Sequence, residues 1–203
     1  MKNISVFVSG GGSNLKAIYK SIESGEINGK IVLVVSNKKC AGSQFANKKK
    51  ISTYVINQPN IGKKMIELLD KHNIDLICLA GYLKLIPSLV IKKYRNRIIN
   101  IHPALLPKFG GKGFYGMRIH ESVIKANEKE SGVSIHFVNE EYDKGLIIAQ
   151  KVIKIIKNES AENLASRILK EEHKLYPKII KYFCEDEEGL KKMIPLNLGN
   201  DEN

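Results

Sequence analysis

The sequence predicts an α/β fold built on a parallel sheet with helices on both faces. Short apolar runs recur along the first half of the chain without polar alternation, which is typical of strands buried on both faces. Segments with helical periodicity separate these runs, and a glycine-rich turn directly follows the first of them. At 203 residues, 43% of them hydrophobic, the chain is long enough for one domain with a substantial core.

The elements follow in a regular order up to the fifth strand. The predicted strands of this half span residues 4–9, 31–35, 53–56, 76–80 and 98–101. Helices are predicted between them at residues 15–24, 42–50, 63–72 and 87–94, the last beginning at Pro87, a residue favoured in a first turn. A glycine-rich loop, a helix and two strands are then predicted at residues 108–116, 119–127, 134–138 and 146–155. Ser160 begins a long helix with a capping pattern, and the polar tail at 195–203 is predicted to fray.

Charge and cysteine content limit which binding partners and which cellular compartment the sequence predicts. A net charge of +12 raises the possibility of a nucleic-acid partner. The lysines occur in small groups without interleaved aromatic residues, so solvated helix faces explain them better, although attraction of an anionic small molecule stays open. The three cysteines form neither a disulfide framework nor a zinc pattern. We expect a cytoplasmic protein with no secretory signal, no membrane span and no nucleic-acid partner.

The glycine turn after the first strand, at residues 9–14, predicts a phosphate site. Its glycines allow close backbone approach, the following helix offers unpaired N–H groups, and Ser13 and Asn14 add side-chain donors. A dinucleotide fits less well, because Leu15 stands where the third glycine belongs and residues 36–39 contain no acid for a ribose. A phosphomonoester therefore fits better than NAD. The alternative is a structural turn with Ser13 or Asn14 as the N-cap.

The end of the fifth strand predicts a second polar site. Asn100 and His102 are two residues apart, so their side chains point to the same face of a strand. An amide donor beside a titratable ring can hold a carbonyl oxygen while its carbon is attacked, as acyl transfer requires. A carboxylate near His102, such as Asp143, would raise its pKa and fix its orientation. The alternatives are that Asn100 and His102 brace the loop and that His136 is a structural residue. No residue spacing predicts a metal site.

Six segments match a known family in their order and spacing: residues 8–15, 79–86, 100–108, 133–138, 142–145 and 171–177. Together they resemble the phosphoribosylglycinamide formyltransferases over nearly the full chain. The resemblance implies a three-layer, open, mostly parallel twisted sheet of the Rossmann-like formyltransferase type, with antiparallel C-terminal strands and a long C-terminal helix. It also implies transfer of a formyl group from the co-substrate 10-formyltetrahydrofolate to the amine of glycinamide ribonucleotide, in purine biosynthesis.

The resemblance further assigns roles to residues of this sequence. Asn100, His102 and Asp143 match the catalytic trio: Asn100 and a protonated His102 would bind the formyl oxygen, and Asp143 would keep His102 charged. The implied substrate-binding residues are Gly12, Ser13, Asn14, Leu169, Lys170, Glu171 and Glu172. The implied folate-binding residues are Leu83, Lys84, Leu85, Ile86, Asn100, Asn139, Glu140, Glu141, Tyr142 and Asp143, and His136 matches a supporting histidine. No arginine at residues 51–84 matches a basic folate contact of relatives, so Lys63 or Lys64 is considered instead.

Two alternatives to this function stay open. Methionyl-tRNA formyltransferases share the Asn-x-His and Asp pattern, and the positive charge would suit tRNA, but they normally carry an additional C-terminal domain. A non-catalytic nucleotide- or folate-binding module is the other alternative, against which the intact trio argues. We expect one formyltransferase domain over residues 1–203, as a monomer or weak homodimer. Its phosphate-binding half would be 1–100, its folate and catalytic half 101–194 and its tail 195–203. The roles of Arg118 and His120 are left open.

Overall fold

The computed structural model describes residues 1–56 and 61–185, so the predicted tail lies outside the described residues. Seven strands are described: β1 Lys2–Val8, β2 Gly29–Ser36, β3 Ser52–Val55, β4 Leu76–Leu79, β5 Ile98–His102, β6 Glu130–Phe137 and β7 Ile147–Lys154. Six helices are described: α1 Ser13–Glu23, α2 Ala41–Lys48, α3 Gly62–Lys71, α4 Ser88–Lys93, α5 Met117–Lys125 and α6 Ala161–Glu185. Every predicted element is present. The largest difference is at β6, which begins at Glu130 rather than at residue 134.

The strands form one sheet in the order β3-β2-β1-β4-β5-β6-β7. Strands β1 to β5 run parallel, whereas β6 is antiparallel to β5 and β7 is antiparallel to β6. This arrangement confirms the mostly parallel sheet with antiparallel C-terminal strands. The chain moves outward from β1 to β3 and returns to β4, so the order reverses between β1 and β4. In open α/β sheets, ligands bind at the carboxyl ends of the strands beside such a reversal.

Helices cover both faces of the sheet, because successive side chains of each central strand enter different cores. In β1, Ile4, Val6 and Val8 face one core and Phe7 faces the other. The first core receives α1, α2, α5 and α6, through residues that include Ile18, Ala46, Val123 and Ile180. The second receives α3 and α4, through residues that include Met65, Leu69 and Val90. Two cores on either side of one sheet confirm the three-layer fold.

The glycine turn between β1 and α1 has a specific backbone geometry. The N-cap of α1 is Gly12, which has a φ of 72° and makes no side-chain capping hydrogen bond. A Cβ at Gly12 would lie 2.6 Å from the Cα of Gly42, so both the φ and the close approach require glycine. The alternative with Ser13 or Asn14 as the N-cap is therefore wrong, because both residues already lie in the first turn of α1. The turn leaves the first N–H groups of the helix without a side-chain cap.

The described helices and side chains bear on membrane insertion and on metal binding. Within residues 1–56 and 61–185, none of the helices combines the length and the apolar character needed to cross a bilayer. In the same part of the chain, no three His, Cys, Asp or Glu side chains are grouped closely enough to hold a metal ion.

Candidate active site

A cavity of about 710 Å³ opens at the carboxyl ends of β1, β4 and β5. It is lined by the glycine turn at 10–14, residues 37–38 after β2, residues 80–84 after β4, residues 100–103, the glycine-rich loop at 111–116, Ile119, Tyr142, Asp143 and Glu172. Ser9 joins two of these walls: its N–H donates to Gly81 O at 3.1 Å, and its Oγ accepts from Leu83 N at 2.9 Å. The cavity therefore lies where the strand order reverses.

One end of the cavity holds the polar residues of β5. The register of the antiparallel pair places Asn100 opposite His136. Asn100 Nδ2 lies 3.0 Å from His136 Nε2 and 3.3 Å from Asp143 Oδ1. His102 Nδ1 lies 3.6 Å from Asp143 Oδ2. The structure thus brings Asn100, His102 and Asp143 together, with His136 behind them.

Asp143 reaches this position through the connection between β6 and β7. Its φ of 56° is left-handed, a conformation that Asp adopts more readily than most residues. Two residues later, a Cβ at Gly145 would lie 1.7 Å from Phe137 O, so the connection can approach β6 only with glycine there. The backbone N–H of Gly111 donates to Asp143 Oδ2 at 2.9 Å, which joins the glycine-rich loop to the carboxylate.

The surroundings of Asp143 favour its ionised form. Burial raises the pKa of its carboxyl group, but several contacts outweigh burial. The hydrogen bond with His136, the charge of His102 and the N–H of Gly111 lower the pKa, and the result lies below the ordinary 3.8. Asp143 is therefore a carboxylate at neutral pH and can stabilise a neighbouring positive charge.

The hydrogen bonds of the two histidines define their tautomers. His102 Nε2 lies 2.8 Å from Phe109 O, and His136 Nδ1 lies 2.7 Å from Phe137 O. A carbonyl oxygen can only accept, so each of these ring nitrogens carries a proton. His136 Nε2 lies 3.0 Å from Asn100 Nδ2 and 3.5 Å from Asp143 Oδ1, so it accepts from Asn100 in the neutral ring and donates to the carboxylate in the protonated ring. The bond to His136 orients the carboxamide of Asn100.

The pKa of His102 lies below the ordinary 6.5. Burial of the ring, which is 4% exposed, is the largest cause, and the charge of His136 also lowers the pKa. Asp143 and the carbonyl of Phe109 raise it, but by less. Asp143 does raise the pKa, as expected from the sequence, but desolvation of the imidazolium exceeds its attraction to the carboxylate, so the net value lies below 6.5. His102 is mostly uncharged at neutral pH.

The other end of the cavity holds Asn14 and Glu172, each 7% exposed. Asn14 Oδ1 is buried and accepts no hydrogen bond from any described residue. Burial raises the pKa of Glu172 to about 7, although the Asn14 side chain lowers it in part. Near neutral pH, Glu172 is present in both protonation states, so it can donate to a sugar hydroxyl or accept from one.

The predicted site residues divide into two groups. Those that line the cavity are Gly12, Ser13, Asn14, Leu83, Lys84, Asn100, His102, Tyr142, Asp143 and Glu172. Those that do not are Leu85, Ile86, His136, Asn139, Glu140, Glu141, Leu169, Lys170 and Glu171. Lys64, considered for a folate contact, lines a separate cavity beside Tyr54, and Lys63 lines neither.

Sequence reasoning missed several residues of the cavity. Asn37 and Lys38 line it from the end of β2, which is adjacent to β1 in the sheet. The sequence signal was available, because polar residues at the carboxyl ends of adjacent parallel strands share one edge of the sheet.

The roles of Arg118 and His120 were left open by the sequence. Arg118 stacks its guanidinium over the Tyr115 ring at 5.0 Å. His120 is buried, and its Nδ1 has no partner in the described ranges.

The fold and the site define a class of α/β enzyme suited to moving an acyl group between small molecules. A helix N-terminus suited to an anion stands at one end of the cavity, and an amide, an imidazole and a carboxylate stand at the other. Residues 2–180 match the family described as formyl transferase, and the chain belongs to this family.

Individual relatives carry a more specific name. The chain is 46% identical over 193 residues to the chloroplastic phosphoribosylglycinamide formyltransferase of Arabidopsis thaliana, covering 91% of this chain and 66% of that protein. It is 36% identical to the phosphoribosylglycinamide formyltransferase of Haemophilus influenzae, covering 94% and 91% of the two chains. The crystal structure of the Bacillus halodurans phosphoribosylglycinamide formyltransferase superposes with a TM-score of 0.85 at 32% identity, covering 93% and 98%. The chain spans 62 to 66% of the length of three plant relatives.

Proposed function

We propose that the protein transfers a formyl group from 10-formyltetrahydrofolate to the amine of glycinamide ribonucleotide in de novo purine biosynthesis. The products are formylglycinamide ribonucleotide and tetrahydrofolate. One observation carries the proposal: Asn100, His102 and Asp143 meet at one end of a cavity whose other end is the uncapped N-terminus of α1. The names of the relatives agree with this substrate.

The spacing of the strands supports a substrate of this shape. The glycine turn follows β1 and Asn100 lies in β5, with β4 paired between them. Neighbouring strands are about 5 Å apart, so the carboxyl ends of β1 and β5, which are two strands apart in the sheet, are separated by about 10 Å. A ribose with a glycinamide arm can span such a distance, with its phosphate at α1 and its amine at β5. Glu172 lies beside Asn14 at the α1 end of the cavity, where the hydroxyls of a sugar next to the phosphate would meet it.

The co-substrate supplies a formyl carbon attached to a nitrogen that can leave. The amine forms a bond to this carbon, the bond from the carbon to the donor nitrogen breaks, and one proton passes from the amine to the departing nitrogen. Asn100 and His102 donate N–H groups to the formyl oxygen as it gains negative charge. That charge raises the pKa of His102, and the Asp143 carboxylate stabilises the imidazolium that forms. A ring that is mostly uncharged beforehand can thus take up and release a proton during the reaction.

The donors that the formyl oxygen needs are engaged in the structure. His102 Nε2 donates to Phe109 O, and Asn100 Nδ2 contacts His136 and Asp143. The backbone of the glycine-rich loop therefore competes with the substrate for His102. Binding of the formyl oxygen requires that this hydrogen bond to Phe109 be exchanged.

The walls after β4 and before β7 fit a folate. Leu83 and Lys84 line the cavity, and Leu83 is 46% exposed, so it offers apolar surface to a flat ring. Tyr142, next to Asp143 in the sequence, also lines the cavity. The proposed folate site also keeps Leu85, Ile86 and residues 139–141, and the proposed sugar site keeps Leu169, Lys170 and Glu171, although none of these lines the cavity. The cytoplasmic location, the oligomeric state and the division into halves at 1–100 and 101–194 stay predictions.

A direct assay tests the proposed function against its alternatives. Purified protein is mixed with 10-formyltetrahydrofolate and either glycinamide ribonucleotide or charged initiator tRNA, and folate absorbance is followed. We expect turnover with the ribonucleotide, and none with His102→Ala protein prepared in the same way. Transfer to the tRNA alone would support the methionyl-tRNA formyltransferase alternative, which the net charge of +12 favours. Folate binding without transfer to either acceptor would indicate a binding module.

A further inference from the structure

We infer that Lys38 is a further substrate-binding residue, whose ammonium group neutralises the phosphate received by the N-terminus of α1. The inference rests on the proposed function, because it takes the substrate to be a phosphomonoester. It adds a charged side chain to a site that the glycine turn otherwise builds from backbone N–H groups and two short polar side chains.

The sheet places Lys38 beside the glycine turn. In the parallel pair of β1 and β2, Val8 is in register with Ser36, so the residues after each strand emerge at the same edge. The two connections also contact each other, since Gly42 N donates to Gly10 O at 3.0 Å. Lys38 lies on the short segment between Ser36 and Gly42, and it lines the same cavity as the turn.

Polar atoms at this end of the cavity lack protein partners. Asn14 is 7% exposed, lines the cavity, and its Oδ1 has no hydrogen bond within the described residues. Asn37, next to Lys38, also lines the cavity, and its buried Oδ1 likewise has no hydrogen-bond partner within the described residues. Buried polar atoms are nearly always paired in folded proteins, so two unpaired acceptors beside an uncapped helix indicate a ligand that carries donors. A phosphorylated sugar supplies hydroxyl donors next to its phosphate.

Charge balance explains why a lysine is needed there. A phosphomonoester carries a charge of about −1.5 to −2 at neutral pH, whereas a helix N-terminus offers about half a positive charge. Lys38 is exposed, and no carboxylate of residues 1–56 or 61–185 lies within ion-pair distance of it. Two other lysines line the cavity: Lys84 follows β4 and Lys112 lies in the glycine-rich loop, whereas Lys38 lies on the segment after β2 that contacts the glycine turn.

The neighbouring Lys39 provides a matched control. It carries the same charge, is also exposed and is one residue away, but it does not line the cavity. A general attraction of anions by a protein of charge +12 would involve both lysines equally. A specific contact would involve Lys38 alone.

Steady-state kinetics of Lys38→Met, Lys38→Arg and Lys39→Met test the inference. A hydrogen bond between charged groups in partial contact with water predicts that Lys38→Met raises KM for glycinamide ribonucleotide about tenfold. The kcat and the KM for the folate should stay within about twofold, because Lys38 follows β2, which is separated by β1 and β4 from the reacting atoms at β5. Lys38→Arg should restore most of the affinity, and Lys39→Met should match the wild type.

Calorimetric titration with ribose 5-phosphate separates this inference from the proposed function. We expect Lys38→Met to bind this compound about tenfold more weakly than the wild type and Lys39→Met to bind it equally well. If the wild type binds it in this Lys38-dependent way but transfers no formyl group, the proposed function fails and the phosphate contact stands. An unchanged affinity in Lys38→Met, an equal loss in Lys39→Met, or no binding by the wild type would each overturn the inference.

Discussion

Replacing Glu172 with glutamine should make the protein more stable in alkaline solution. The carboxyl group is 7% exposed, and burial raises its pKa from 4.5 to about 7. Folding therefore favours the protonated form, so the stability of the wild type falls as the pH rises from about 4.5 through 7. The difference between the two pKa values corresponds to a decrease of about 3 kcal/mol in the free energy of unfolding above pH 8, relative to acidic solution. About 1 kcal/mol of this decrease is already present at pH 5.

Urea denaturation of wild type and Glu172→Gln at pH 5 and pH 8.5 measures this effect. The free energy of unfolding of the variant, relative to that of the wild type, should increase by about 2–3 kcal/mol between the two pH values. Glu67→Gln serves as a control, because Glu67 is an exposed carboxylate in α3. A relative stability of Glu172→Gln that does not change with pH, or one that changes equally in Glu67→Gln, would refute the burial argument.

Three further predictions concern the catalytic end. His102→Ala and Asp143→Asn should each lower kcat by on the order of 10²–10⁴ with a modest change in KM, and a near-normal rate in either variant would reject the role of that residue. NMR titration should give His102 a pKa below 6.5 and a lower one in Asp143→Asn, because the carboxylate raises it; a higher value in the variant would contradict the described electrostatics. Gly145→Ala should cost about 1–3 kcal/mol in urea denaturation, since its Cβ would meet Phe137 O, and an unchanged midpoint would show that the connection can move aside.

Apolar runs and helical periodicity were sufficient to predict every described element, including the largely exposed strands β3 and β7. The strand order and the antiparallel direction of β6 and β7 could not be obtained in this way, since they depend on contacts between distant segments. The early start of β6 depends on its pairing with β7. Gly132 disfavours a strand by propensity, but a Cβ there would lie 2.1 Å from Lys151 O, so close packing of β7 requires glycine.

The candidate site was predictable where it depends on local spacing. Asn100 and His102 share a face because a strand has a period of two. In the structure, both side chains lie next to the carboxylate of Asp143. That Asp143 lies next to them, 41 positions after His102, followed only from the family resemblance. The pKa directions of His102 and Glu172 depend on burial by several elements at once, which no spacing reveals. Lys38 was missed because the end of β2 was considered only for the absence of an acidic residue.

Transfer of an isotopically labelled formyl group tests the central claim most directly. The label is placed on 10-formyltetrahydrofolate, and the glycinamide ribonucleotide is isolated after reaction with the wild type, His102→Ala or Asp143→Asn. The proposed reaction predicts label on the ribonucleotide with the wild type, and labelling slower by a factor on the order of 10²–10⁴ with either variant. A ribonucleotide that stays unlabelled with the wild type, or one that is labelled equally fast by His102→Ala, would contradict it.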